Sequence, residues 1–188
     1  MVTLAISTVT RIASVLICGD KKLSYIESIE GDLVKELPLA FMKAAAGKEM
    51  NLKSIDEIII SGGPGYYTSL RIGESFAKGL LVGDSLLKLK KIDSLEVLAS
   101  MVAEEKRILT VLKARKDVYH AALFAKSSSG QFQRETENLL LSESELSKWR
   151  GLPAAGEGLN YLEKRWENRI EAVNDPDAMA MYKYIHGE

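Results

Sequence analysis

The chain has 188 residues, 46% of them apolar and 27% charged, with a formal net charge of -1. That is enough apolar material for one large or two small globular domains, and it excludes a disordered chain. A near-neutral chain also lacks the clustered Lys and Arg of a general nucleic-acid binder; its one basic run, KLKK (88–91), reads as a solvated loop.

The first residues, VTLAIST (2–8), are apolar and β-branched and predict a buried strand. IASVLIC (12–18) and KLSYIES (22–28) predict two more, with turns at 9–11 and 19–21, so the opening is an antiparallel meander. Cys18 is the only cysteine, cannot form an internal disulfide, and reads as a buried strand residue. A reducing cytoplasm fits that usage. The N-terminus lacks a basic segment followed by a long apolar run, and no apolar run reaches membrane-spanning length. The expectation is a soluble cytoplasmic protein without membrane contact.

A helix is predicted over 32–46, with Pro38 kinking it or delaying its start. The strand DEIIIS (56–61) then runs into Gly62, Gly63, Pro64 and Gly65, and a helix follows over 68–82. A strand, glycines and a helix start present free N–H groups and a positive dipole end, which suits an anion. The stretch lacks GxxxxGK[ST] and GxGxxG spacing, so the alternative is a tight turn with Thr68 or Ser69 capping the helix. Ser69, Gly73, Ala77 and Leu80 share one helix face and are mostly small, which suits close approach of another helix. Leu70, Ile72, Phe76 and Leu81 can face the core. Such a helix packs inward and against a partner, or has both faces buried within its own domain.

A helix over 94–106 links to a second half. There, strands are predicted at 107–114, 117–125 and 131–141, a capped helix at 142–149 (Ser142 with Glu145), a short strand at 152–158 ending in GEG, and a helix over 160–169. An amphipathic stretch, 177–185, closes the chain. The order β-β-β-α-β-α thus occurs twice, with a glycine turn in each half. That is the outline of the α/β actin-like ATPase, sugar kinase and heat-shock chaperone fold, in two lobes: 1–105 with the glycine loop and partner helices, and a smaller 106–188. Ligands in that fold sit in the cleft between the halves.

GGPGYYTSLRIGESFAKGL (62–80) resembles the signature GPGSFTGLRIGxxxAKGL of the TsaB (YeaZ) family, a subunit of bacterial tRNA threonylcarbamoyladenosine biosynthesis. TLAISTVTRIASVLI (3–17), IDSLEVLA (92–99), LKARKDVYHAAL (112–123) and GEGL (156–159) resemble its other motifs in order. The resemblance is strong over about 1–125 and thin beyond. It implies a non-catalytic scaffold that pairs with TsaD, which transfers the threonylcarbamoyl group to adenosine 37 of ANN-decoding tRNAs, with the ATPase TsaE joining a larger complex. It implies no cofactor beyond weak ATP or ADP binding, a homodimer when alone, and tRNA contact only indirectly. On this reading Ser7, Thr8, Thr10, Gly62, Gly63, Pro64 and Gly65 form a vestigial nucleotide loop. Leu33, Leu37, Phe41, Ser69, Leu70, Gly73, Phe76, Ala77 and Leu80 form the partner interface.

The chain departs from the family pattern where chemistry would sit. The first-strand Asp is Ser7, the Asp of DAR is Lys113, the small residue of FTGLRIG is Ser69, and the His before the first helix is Asp32. A phosphotransferase of the same fold, the alternative reading, needs a cleft carboxylate for metal and base. A metalloprotease needs paired His ligands, and His120 and His186 stand alone in sequence. No GxSxG occurs for a Ser nucleophile. Arg11, Arg71, Lys113, Arg115 and Lys116 are the candidates for direct tRNA contact, with surface solubility as their plainer role.

Overall fold

A computed structural model describes residues 1–19, 22–46, 54–82 and 87–187. The chain forms two compact units, Met1–Ile92 with Asp177–Glu188, and Asp93–Pro176.

The first unit is built on a five-stranded sheet. Its strands are β1 (Thr3–Ser7), β2 (Ala13–Gly19), β3 (Lys22–Ile29), β4 (Glu57–Gly63) and β5 (Lys88–Asp93), in the order β3-β2-β1-β4-β5. β1 is antiparallel to β2, with Ser7 opposite Ser14, and parallel to β4. The predicted meander is therefore present; its second turn falls partly outside the described residues.

Side-chain alternation sorts this sheet into two faces. Leu4, Ile6, Val15, Ile17, Ile58 and Ile60 join Leu37, Phe41, Ala44 and Ala77 in one buried cluster. Those partners belong to helices α1 (Leu33–Ala46) and α2 (Tyr67–Leu81). The opposite face carries Ser7, Ser14 and Ser61, and the C-terminal helix α5 (Ala178–His186) packs against β1, β2 and β4. α1 starts at Leu33 with Pro38 in its second turn, so Pro38 does not delay it. Asp32 supports the start, its Oδ1 accepting the Val34 N–H at 3.2 Å.

In the second unit β6 (Arg107–Arg115) and β7 (Val118–Lys126) form a long hairpin, with α3 (Ser94–Ser100) against β6. α3 is shorter than the predicted 94–106. Asp93 caps its start by accepting from Leu95 N–H at 2.8 Å and Glu96 N–H at 3.1 Å. The strand predicted at 131–141 is two strands, β8 (Phe132–Arg134) and β9 (Leu139–Ser142), pairing with opposite ends of β7. α4 (Glu143–Leu146) carries both arms of the predicted capping box. The short β10 (Ala154–Ala155) lies parallel to β6.

No helix forms over 160–169; a 3-10 turn over Glu157–Tyr161 gives way to irregular chain. Side chains hold this segment instead. Arg150 donates to the carbonyls of Arg165 (2.9 Å) and Lys164 (3.0 Å), and the buried Trp166 ring donates its Nε1–H to the Leu152 carbonyl at 2.9 Å. Those bonds anchor the backbone in a non-helical path around a ring that joins the core of Leu109, Val111 and Tyr119. Among the described residues, no helix is long and apolar enough to cross a membrane.

Candidate functional site

The glycine loop joins β4 to α2 in the first unit. Its Gly63–Pro64 peptide is cis. The N-cap of α2 is Tyr66, with no side-chain hydrogen bond; Thr68 and Ser69 lie inside the helix and do not cap it. The loop is held from the other side. Tyr66 N–H donates to the Val9 carbonyl at 2.8 Å, and a Cβ on Gly65 would lie 2.5 Å from that same oxygen. Only glycine lets the two backbones approach so closely.

Ser7 and Thr8, adjacent at the end of β1, point to opposite faces. Thr8 turns toward α2, where a Cβ on Gly73 would lie 2.5 Å from its Oγ1. Gly73 thus allows close approach to the β1–β2 loop within this unit. Ser7 turns toward α5. It accepts from Ser61 Oγ at 3.4 Å, and Ser61 Oγ in turn lies 3.3 Å from the Thr8 N–H and 3.6 Å from Met181 Sδ. Thr10 exchanges hydrogen bonds with the backbone of Ile12, and Ser14 Oγ accepts the Ala178 N–H at 2.8 Å. Ser7, Thr8, Thr10, Ser14 and Ser61 are all buried. Of the hydroxyls read from sequence as part of a phosphate loop, Ser7 and Thr10 hydrogen-bond within the protein, and Thr8 Oγ1 lies against Gly73.

A cavity of about 450 Å³ sits between α1 and α2. It is lined by Leu33, Leu37, Ile72 and Phe76, with Val34, Pro38, Thr68, Arg71 and Ser75. Of the nine residues assigned to the partner face, Leu33, Leu37, Phe41, Gly73 and Ala77 are buried in the unit. Phe41 meets Phe76 edge-on at 5.5 Å between ring centres. Ser69, Leu70, Phe76 and Leu80 are half-buried. The large apolar side chains that α1 exposes are Val34, Leu39 and Met42. They are absent from the predicted interface because a partner-facing apolar residue and a core residue look alike in sequence.

The charged groups form local clusters. Glu74 on α2 pairs with Lys78 at 2.6 Å and Lys91 at 2.8 Å, and hydrogen bonds from these two, Lys78 first, pull its carboxyl down to about 2. The buried Glu57 meets Lys90 at 2.6 Å and His186 at 3.3 Å, so the fold supplies His186 with a carboxylate that its sequence neighbours do not. Arg11 lies over the Tyr66 ring and Arg71 over the Tyr67 ring, each 5.7 Å from the ring centre. In the second unit Lys113 Nζ lies 3.7 Å from the Tyr161 ring centre, and Glu157 accepts the Lys113 N–H at 3.3 Å. Burial holds His120 below its ordinary pKa. Cys18 is half-buried and reduced, more exposed than its apolar run suggests. Among the described residues no group of three His, Cys, Asp or Glu side chains is arranged to hold a metal.

The two mixed sheets with their helices give a protein of the actin-like ATPase fold. A Bacteroides thetaiotaomicron protein described with that fold matches the whole chain at a TM-score of 0.50 and 12% identity, with 96% of its own length covered. YeaZ from Pseudomonas aeruginosa matches at a TM-score of 0.79 and 19% identity, covering 100% of this chain and 95% of that one. A second structure, described as similar to peptidase YeaZ from the same organism, gives 0.79 and 20%, covering 100% and 93%. No curated protein matches significantly. Residues 30–145, more than half of the chain, match the family model described as TsaD, tRNA N6-adenosine threonylcarbamoyltransferase. The chain belongs to that family.

Proposed function

We propose that this chain is a TsaB-type, non-catalytic member of the family. It pairs with TsaD for threonylcarbamoylation of adenosine 37 in ANN-decoding tRNAs, and it does so through α1 and α2. The observation that carries this reading is a contrast within one unit. The glycine loop and the start of α2 lie tight against Thr8 and Val9, whereas the space between α1 and α2 is open and largely apolar. An apolar cavity bordered by exposed Val34, on a helix that also exposes Met42, suits a packed protein surface. The whole-chain likeness to YeaZ supports the same reading.

Light scattering after size exclusion tests it, on the chain alone and mixed with TsaD from its own organism. The expected result is a heterocomplex that depletes any homodimer, lost on Val34→Arg. No complex, even with tRNA, TsaE and ATP present, would sink the reading. The phosphotransferase alternative then gains weight, and saturable ATP hydrolysis by the pure protein, abolished by Thr8→Ala, would support it.

A further inference from the structure

We infer that the exposed stripe of Tyr67, Arg71 and Lys78 along α2, with Arg11 at its N-terminal end and Lys91 beside it, is a contact surface for single-stranded RNA. Tyr67, Arg71, Glu74 and Lys78 stand at spacings of four, three and four, so they line one helix face about 16 Å long. Tyr67 is 74% exposed, and Arg71 and Lys78 are exposed as well. This face flanks the α1–α2 cavity and shares only Arg71 with it.

Two features point to nucleic acid. First, positive charge is left over. The carboxylate best placed to pair with Arg71 is Glu74, three residues on, and Lys78 and Lys91 already engage it. Among the described residues no carboxylate lies within ion-pair distance of Arg11 or Arg71, so four cations meet one anion here although the whole chain is slightly acidic. Second, the two arginines rest over the adjacent rings of Tyr66 and Tyr67. A guanidinium held over a ring offers a charge to a phosphate and flat surfaces to a base. The surface fits an unpaired loop or strand better than a duplex, whose bases are stacked and whose major groove in RNA is too narrow for these side chains. It is a local surface, so its affinity is micromolar and steeply salt-dependent.

This inference does not depend on TsaD pairing, and its test uses the chain alone. Fluorescence anisotropy would follow a labelled, mixed-sequence single-stranded RNA oligonucleotide and the same strand annealed to its complement, at about 50 mM salt. The Arg11→Glu/Arg71→Glu double variant is expected to bind the single strand at least about tenfold more weakly, and Tyr67→Ala about fivefold more weakly. The duplex is expected to bind less well than the single strand. All substitutions are at exposed positions, and unchanged melting temperatures would confirm that the variants fold. Failure of the wild type to bind at high micromolar concentration would overturn the proposal. So would a double variant that binds as the wild type does. Equal binding of duplex and single strand, with Tyr67→Ala neutral, would overturn it by showing a charge-only surface. The RNA assay contains no TsaD, so the two readings can fail separately.

Discussion

Gly73 on α2 and Thr8 at the end of β1 are in such close contact that a Cβ on the glycine would lie 2.5 Å from the threonine Oγ1 and 3.0 Å from its Cγ2. Alanine favours a helix interior over glycine by roughly 1 kcal/mol, so propensity alone would make Gly73→Ala stabilising. Overpacking in a buried joint costs about 1–3 kcal/mol and should win. Gly79 on the same helix has nothing within 4 Å of its would-be Cβ. Gly79→Ala should therefore gain about 0.5–1 kcal/mol. Urea unfolding of the two variants measures the difference, and equal stabilities would refute the close contact.

The α1–α2 cavity makes a second prediction. Leu37 is fully buried, and Leu37→Ala should cost about 2–5 kcal/mol of stability. Val34→Arg and Ser75→Trp change its exposed border and should leave the melting temperature within a degree or two while abolishing the TsaD heterocomplex. Intact pairing in both variants, measured by light scattering, would move the interface elsewhere.

Acid should weaken the first unit through Glu74. Its pKa is lowered from 4.5 to about 2 in the fold, so the unfolded chain binds the proton more readily between those values. The contribution is fully present above about 4.5 and is lost as pH falls toward 2. Glu145, lowered chiefly by its hydrogen bond to Ser142, acts in the same direction. His120 also has a lowered pKa, so its contribution falls away as pH drops below 6.5. Stability profiles by urea unfolding should be flatter below pH 4.5 for Glu74→Gln, and flatter just below pH 6.5 for His120→Asn. Profiles identical to wild type would show that these contacts do not form in solution.

The C-terminal helix should stabilise the face that carries Ser7. Met181 is 1% exposed, and Met181→Ala should cost about 2–5 kcal/mol. Asp177 caps α5 by accepting the Ala180 N–H at 2.8 Å, and Asp177→Ala should cost about 1 kcal/mol. Amide exchange at Ser7 and Ser61 should quicken in both variants; unchanged protection would mean that α5 covers nothing there.

Much of this architecture was legible in the sequence because the signals are local. Alternating β-branched residues in 3–7 and 13–19, the apolar run before Gly62 and the Ser142–Glu145 box each act over a few neighbours. The misses came where distant groups override local preference. The segment 160–169 has helical composition, yet Arg150 and the Trp166 ring pull it into irregular chain. Thr68 and Ser69 are good capping residues, yet the backbone pairing of Tyr66 with Val9 starts α2 earlier.

The sequence by itself determined the strand-helix order of the first unit, the glycine turns and the loss of a first-strand carboxylate at Ser7, since each is a matter of residue type and spacing. Only the tertiary structure decided what the glycine loop touches. Which groups meet depends on which elements approach, and here the Val9 carbonyl takes the Tyr66 N–H and Thr8 meets Gly73. It likewise separated the buried Leu37 and Phe41 from the exposed Val34 and Met42 of the same helix, because burial is a property of neighbours that the apolar period does not name.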